Sequence, residues 1–356
     1  MGNRHHALKL AAVLVSLCML AAATGCKGRG IAPKPPPSLY KITAANLNGV
    51  ASAGAAHVWV SGSNGTIFHT LDGGKNWSRQ TSNTDNLICS IAFINENIGW
   101  AAGIYGTMLH TEDGGNIWVQ QNTGTKEHLF SICFVNQSQG WAAGSMGTIL
   151  HTADGGKTWA AQREPEDKNF NALCFIDESK GWVVGEFGTV LHTADGGKSW
   201  VRQKPAALFL QEKDQWADPP LALYGIKLID RARGWIVGMH GVLLRTENGG
   251  DTWIDQRSAL NVTDPLYAIE IKGDRGWIVG DAGAYLLSED GGKSWQPLED
   301  RIKTRFWLHA VAFSDQNRGW IVGARGAVVK TEDGGKTWTM LSGLTYDVPE
   351  FGLADF

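Results

Sequence analysis

The predicted fold is all-β: a seven-bladed β-propeller whose blades are four-stranded antiparallel sheets. Three observations predict it. An Asp-Gly-Gly turn followed by a Trp recurs with its first residue at 72, 113, 154, 195, 248, 290 and 333, so the copies lie 41, 41, 41, 53, 42 and 43 residues apart. A Gly-Trp pair precedes each turn, at Trp100, Trp141, Trp182, Trp235, Trp277 and Trp320, with Val58-Trp59 as the degenerate first copy. Within a copy, four short alternating or apolar runs are separated by turn signals; in the third copy they are residues 129–135, 140–143, 148–152 and 158–162. One such sheet cannot bury both faces alone, whereas radial stacking around an axis covers them all. An up-and-down barrel gives no reason for the period.

The chain of 356 residues is 43% hydrophobic and 19% charged, well away from disordered compositions. Its net charge of -3 provides no basic field for a polyanion, so nucleic acid is not expected as a partner. Residues 1–25 read as a signal peptide: Arg4 and Lys9 without an acid, an apolar run from Leu10 to Ala23, then small residues. Cys26 directly after them resembles the bacterial lipobox cysteine, although Ala23 stands where that motif prefers Leu; the alternative is plain secretory cleavage with Cys26 free. Residues 26–39 hold Pro33, Pro35, Pro36 and Pro37 and read as a tether. The propeller is assigned to residues 40–356.

Each turn has a structural explanation. The side chains of Asp72, Asp113, Asp154, Asp195, Asn248, Asp290 and Asp333 are placed to accept backbone N–H groups of their own turns, the glycines permit positive φ, and the Trp packs over the hairpin. Seven equivalent turns cannot converge on one substrate, so no catalysis is assigned to them. His69, His110, His151 and His192 recur one per blade without short metal-ligand spacing, and are expected to pack; no metal or cofactor is expected. Gln80, Gln121, Gln162, Gln203 and Gln256, three residues after each Trp, are expected to hydrogen-bond on a strand face. Cys89, Cys133 and Cys174 lie in apolar runs and are expected to be buried small side chains, with a Cys133–Cys174 disulfide as the alternative. Lys227 and Glu270 occupy the inner-strand place held by Cys133 and Cys174, and are expected to pair between blades 5 and 6.

Strand order puts the second-to-third-strand loops and the connections between blades on one face. Between the glycines of those loops, Tyr105, Met146 and Phe187 make an apolar arc on blades 2 to 4, and His240, Asp281 and Arg325 a polar arc opposite. Hydrophobic anchors beside charge are the anatomy of a recognition surface. The same face receives the 12-residue excess between blades 4 and 5, which carries Phe209 and Trp216, and the basic connection with Arg301 and Arg305 before blade 7. With Arg202, Lys204, Arg257 and Arg325 the latter offers a positive sector for an acidic segment.

The turn resembles the Asp-box of sialidases and sortilin-type receptors, where the box lies away from the catalytic centre. The tandem pattern Gly-Trp-x-x-Gly, Gly-Thr-x-Leu-His-Thr, Asp-Gly-Gly-Lys-x-Trp, clearest at 140–159 and 181–200, resembles the photosystem II stability and assembly factor propellers over residues 45 to 340. That resemblance implies a non-catalytic, lipid-anchored factor of the cell envelope, periplasmic or on the outer surface, that binds a protein partner, such as a membrane-protein segment, through an arginine-rich patch. Arg231, Arg233, Arg275 and Arg318 lie near Gly-Trp turns of blades 5 to 7. The alternative is an Asp-box glycoside hydrolase, sialidase-like enzyme or sugar-binding propeller. Neither a central arginine cluster nor a pair of flanking carboxylates is visible, and no Gly-x-Ser-x-Gly, Walker or zinc motif occurs.

Overall fold

A computed structural model describes residues 45–342 except 164, 209–220 and 299–300. Seven four-stranded antiparallel sheets follow one another in sequence order, each a simple meander. Blade 1 is Leu47–Ala53, His57–Gly62, Ile67–Thr70 and Ser78–Arg79; blade 2 is Ile88–Phe93, Gly99–Gly103, Met108–Thr111 and Val119–Gln120. Blade 3 is Leu129–Phe134, Gly140–Gly144, Ile149–Thr152 and Ala160–Ala161; blade 4 is Phe170–Phe175, Gly181–Gly185, Val190–Thr193 and Val201–Gln203. Blade 5 is Leu223–Leu228, Gly234–Gly238, Leu243–Thr246 and Ile254–Asp255; blade 6 is Leu266–Lys272, Arg275–Gly280, Tyr285–Ser288 and Gln296–Pro297. Blade 7 is Leu308–Phe313, Gly319–Gly323, Val328–Thr331 and Thr339–Ser342. The fourth strands are shorter than the sequence runs because Thr158 and Trp159, with their equivalents, are taken up by the turn.

The Gly-Trp tryptophans are the most deeply buried side chains, essentially without exposure. Each lies between two blades. Trp100 stacks on Phe134 of the next blade at 3.5 Å and on its own blade's His110 at 4.9 Å. Trp59, Trp141 and Trp277 stack likewise on Phe93, Phe175 and Phe313. His69, His151 and His192 cover the other side of Trp59, Trp141 and Trp182, so these histidines pack as expected. Glycine precedes the Trp because a Cβ at Gly140 would fall 2.4 Å from the Phe134 ring.

Six of the blade interfaces share one hydrogen bond: the indole N–H donates to a glycine carbonyl in the next blade's Asp-box, as Trp59 does to Gly114 at 2.9 Å. The glutamines add a brace. Gln80 Nε2 donates to the Gly114 carbonyl at 2.7 Å while its Oε1 accepts from Trp118 Nε1 at 3.1 Å. From the strand face their amides cross to the neighbouring blade.

The ring closes differently between blades 7 and 1. Leu341 stands in the glutamine's place, and the Trp320 indole N–H has no partner among the described residues. Leu47, Val60 and Phe68 pack against Val322 and Val328, and His309 Nδ1 meets the Asn48 carbonyl at 2.9 Å. No strand is shared across this seam among the described residues.

Candidate functional site

The Asp-boxes are self-contained. Asp154 Oδ1 accepts from Thr152 Oγ1 at 2.8 Å and Thr158 N at 2.9 Å, and Oδ2 from Thr158 Oγ1 at 2.6 Å. The Thr158 hydroxyl and backbone bonds hold the Asp154 carboxyl down at about 2. Asn248 makes the same turn without charge, accepting from Thr252 N at 2.9 Å, which shows that geometry rather than ionisation defines the motif. These carboxylates stay in their own turns, on the face opposite the second-to-third-strand loops.

Those loops are tight turns of type I′, with two consecutive residues at positive φ. Asn64 and Gly65 have φ of 56° and 61°, and the turn is closed by Thr66 N on the Ser63 carbonyl. Asn-Gly is the relaxed sequence for that geometry. The other blades keep the glycine, because at Gly106 a Cβ would fall 2.1 Å from the Thr125 carbonyl. Before it they put Tyr105, Met146, Phe187, His240, Ala282 and Arg325, at φ between 50° and 57°. A left-handed conformation costs an L-residue about 1–2 kcal/mol unless it is Gly or a short polar side chain. Bulky side chains are held there against that cost, with Tyr105 64% exposed, Met146 41% and Phe187 38%.

The structure therefore places Tyr105, Met146, Phe187, His240 and Arg325 at equivalent tips of one face. Ala282, not Asp281, is the sixth tip; Asp281 sits one residue earlier and its carboxylate accepts from Ala282 N at 2.9 Å. Tyr105 N donates to His128 Nδ1 at 3.0 Å and its ring meets the His128 edge. Arg325 N donates to Asn46 Oδ1 at 2.9 Å, and its guanidinium lies 4.5 Å over the Phe306 ring. Arg305 is exposed beside it. Arg301 turns away: its guanidinium donates to the Lys336 carbonyl in the blade 7 Asp-box. Arg257 is neutralised by Asp255 at 2.6 Å. Arg231, Arg233 and Arg318 pair with Asp177, Asp230 and Asp315, while Arg275 holds backbone carbonyls. Of that sector Arg301 and Arg257 are engaged elsewhere, while Arg202, Lys204, Arg305 and Arg325 remain exposed. Cys26, Phe209 and Trp216 lie outside the described residues.

At the centre of this face sits a ring that sequence reasoning missed. Each first strand opens with a β-bulge, for example between Leu266 and Ala268, where one extra residue has no partner on the second strand. The extra residues are Asn48, Cys89, Phe130, Asn171, Tyr224, Tyr267 and His309. They meet around the axis. Tyr224 and Tyr267 have ring centroids 5.4 Å apart, Tyr267 and His309 5.8 Å, and Asn171 Nδ2 donates to the Leu223 carbonyl at 2.9 Å. The flanking positions carry one chemistry in all blades, such as the Val, Ile or Leu two residues later, whereas the bulge position varies. That variation was the available signal, but only the bulge shows that the position turns toward the axis.

Deeper in the first strands, Lys227 Nζ pairs with Glu270 Oε1 at 2.8 Å and Oε2 at 3.0 Å, as expected. Burial, the largest influence, works against the Lys227 charge, but the attraction and hydrogen bond of Glu270 together with Cys174 and Cys133 outweigh it, and the ammonium is raised above its ordinary range. Cys133 and Cys174 are free thiols; burial pushes Cys133 up to about 12 and raises Cys174. The alternative disulfide is not formed.

The family described as photosynthesis system II assembly factor YCF48 matches residues 41–126, 116–208, 214–303 and 299–353, nearly the whole propeller. A solved YCF48 bound to D1 peptide is similar with TM-score 0.65 and 23% identity, covering 81% of this chain and 94% of that one. YCF48 from Cyanidioschyzon merolae gives TM-score 0.64 and 19% identity, over 84% and 97% of the two chains. A GH74 xyloglucanase from Xanthomonas campestris gives TM-score 0.66 at 13% identity, over 86% of this chain and 55% of that one, which shows fold alone. The chloroplastic photosystem II stability/assembly factor HCF136 of Oryza sativa subsp. japonica is 45% identical over 40 residues, 11% of this chain and 10% of that relative's length.

Proposed function

The chain belongs to the photosynthesis system II assembly factor YCF48 family, and on that footing we propose that it is a non-catalytic propeller that holds a segment of a partner protein on its tip face. The carrying observation is the strained rim: bulky residues occupy positive-φ positions where blade 1 shows that Asn-Gly suffices. Strain kept at equivalent places on one face is a mark of function. The similar YCF48 carrying a D1 peptide supports a polypeptide as the occupant. Tyr105, Met146 and Phe187 serve as anchors, and Arg325, Arg305 and His240 take the charged part of the segment.

Removal of residues 1–25 and lipidation of Cys26 fix the propeller to a cell-envelope membrane, and the Pro-rich residues 26–39 give it reach toward a membrane protein. Phe209 and Trp216 add apolar contacts from the connection that leaves and returns on the tip face. The test is capture from solubilised envelope by the full chain and by its Tyr105→Ala, Phe187→Ala and Arg325→Ala variants. A partner whose capture falls about tenfold in the variants, the effect of one lost anchor, supports the reading. Partners unchanged by all three variants, or hydrolysis of glycosides by the purified protein, overturn it.

A further inference from the structure

The bulge ring at the centre of the tip face holds buried hydrogen-bond acceptors. Asn48 is only 6% exposed, and its Oδ1 has no hydrogen-bond partner among the described residues. Asn171 is locked by its Nδ2 bond to the Leu223 carbonyl, which fixes Oδ1 as a second buried acceptor, also without a partner among them. His309 supplies a further acceptor of its own kind. Its Nδ1 faces the Asn48 carbonyl, which only accepts, so Nδ1 carries the proton and the neutral ring leaves Nε2 as a lone pair.

Around the ring Asn171 adjoins the strand of Tyr224 and Asn48 adjoins His309, and between them run Tyr224, Tyr267 and His309 with successive ring centroids 5.4 and 5.8 Å apart. Glu186, held by the backbone N–H and amide of Asn169, lies close enough to Tyr224 to contribute to the raised phenol, after burial. Lys227, deeper in the first strands, is neutralised by Glu270 and offers no free cation. A buried acceptor without a donor is costly, so the complementary occupant brings donors, and aromatic faces beside a carboxylate favour a cation.

We propose that the bulge ring forms a mouth that receives one cationic side chain of the bound segment, the guanidinium of an arginine or the ammonium of a lysine, with Asn48, Asn171 and His309 accepting its hydrogen bonds and Tyr224 and Tyr267 facing its charge. This rests on the reading that the tip face holds a polypeptide: the rim anchors the segment, and the mouth selects a basic residue within it.

The experiment uses the full chain and small probes, so it does not depend on knowing the partner. N-acetyl-arginine methylamide and N-acetyl-glutamate methylamide are titrated separately and observed by ligand-detected saturation-transfer NMR. Saturation of the arginine side-chain methylenes, absent for the glutamate probe, is expected. Binding weakens about tenfold in Asn171→Leu and in Tyr267→Leu, each checked for an unchanged melting temperature, while Ala282→Asn binds the arginine probe as wild type. Equal transfer to both probes, no transfer to arginine, or full binding in both folded mouth variants overturns the inference. Failure here with intact tip-dependent capture sinks only the cationic pocket; binding of arginine with no tip-dependent partner sinks the rim reading instead.

Discussion

Replacing the tip residues by the one that suits their backbone separates stability from function. At Ala282 the side chain is exposed, and its backbone N–H bond to Asp281 survives substitution. Ala282→Asn therefore loses no contact and relieves most of the left-handed cost, a gain of about 1 kcal/mol. For a propeller of about 300 residues, with an unfolding entropy of about 2.1 cal/mol/K per residue, that raises the melting temperature by about 1.5 °C. Tyr105 is 64% exposed, so roughly a third of its burial, on the order of 1 kcal/mol of the 1.5–3 for a large apolar side chain, is lost in Tyr105→Asn. The same backbone relief offsets that loss, leaving stability within about 1 kcal/mol of wild type. Binding should fall regardless. Urea unfolding followed by tryptophan fluorescence gives the stability, and capture from solubilised envelope gives the function. A destabilised Ala282→Asn, or a loss beyond about 2 kcal/mol in Tyr105→Asn, would show that the tips are built for architecture, and the inference from strain to function would fail.

Other consequences follow from the interfaces and the buried titrating groups. Gln80→Leu leaves the Trp118 indole N–H and one acceptor site of Gly114 unfilled and should cost about 1–3 kcal/mol, measured by the same unfolding curves; a neutral result removes the brace from the account. Lys227→Met strands the mostly buried Glu270 carboxylate and should cost about 3 kcal/mol, much of it restored in Lys227→Met/Glu270→Met; equal losses in the single and double variants would contradict the pairing. Burial, joined by the nearby His57, lowers His69 to about 4, and burial also depresses His110, His128, His151, His192 and His309. The unfolded chain then binds protons first, so stability is full above about pH 6.5 and declines toward pH 4, with His69 alone accounting for about 3 kcal/mol. Asp154 and Asp195, held at about 2 chiefly by the Thr158 and Ser199 hydroxyls, add a second loss as pH falls below about 4. A flat profile from pH 8 to 4.5 would refute the first stage.

The fold was legible because its signals are local and repeated. Trp141 and its equivalents announce themselves at a fixed distance from the Asp-Gly-Gly turn, and the four runs between them have strand length. The Lys227 and Glu270 pairing was legible for a related reason: equivalent positions in adjacent blades are neighbours, and opposite charges there satisfy each other. Three features escaped. The bulge inserts one residue into a period of two, so alternation alone cannot tell whether Tyr224 or Tyr267 faces a neighbour blade or the axis. A turn's register is a matter of one residue, which is why Asp281 stood in for Ala282. Long side chains choose their partners in three dimensions: Arg301 follows the blade 7 box, and Arg257 turns back on Asp255.

The join between blades 7 and 1 bears on how the molecule comes into being. The apolar face of blade 1 around Val60 and Phe68 is made before the valines that cover it, Val322 and Val328, and blades 2 to 6 are synthesised in between. While those blades are made one greasy flank waits in water, the state in which a nascent chain invites a chaperone or a neighbour on the same message. Since no strand is shared between blades 7 and 1 among the described residues, linking the ends and opening the circle at another boundary would hand that wait to a different pair of blades.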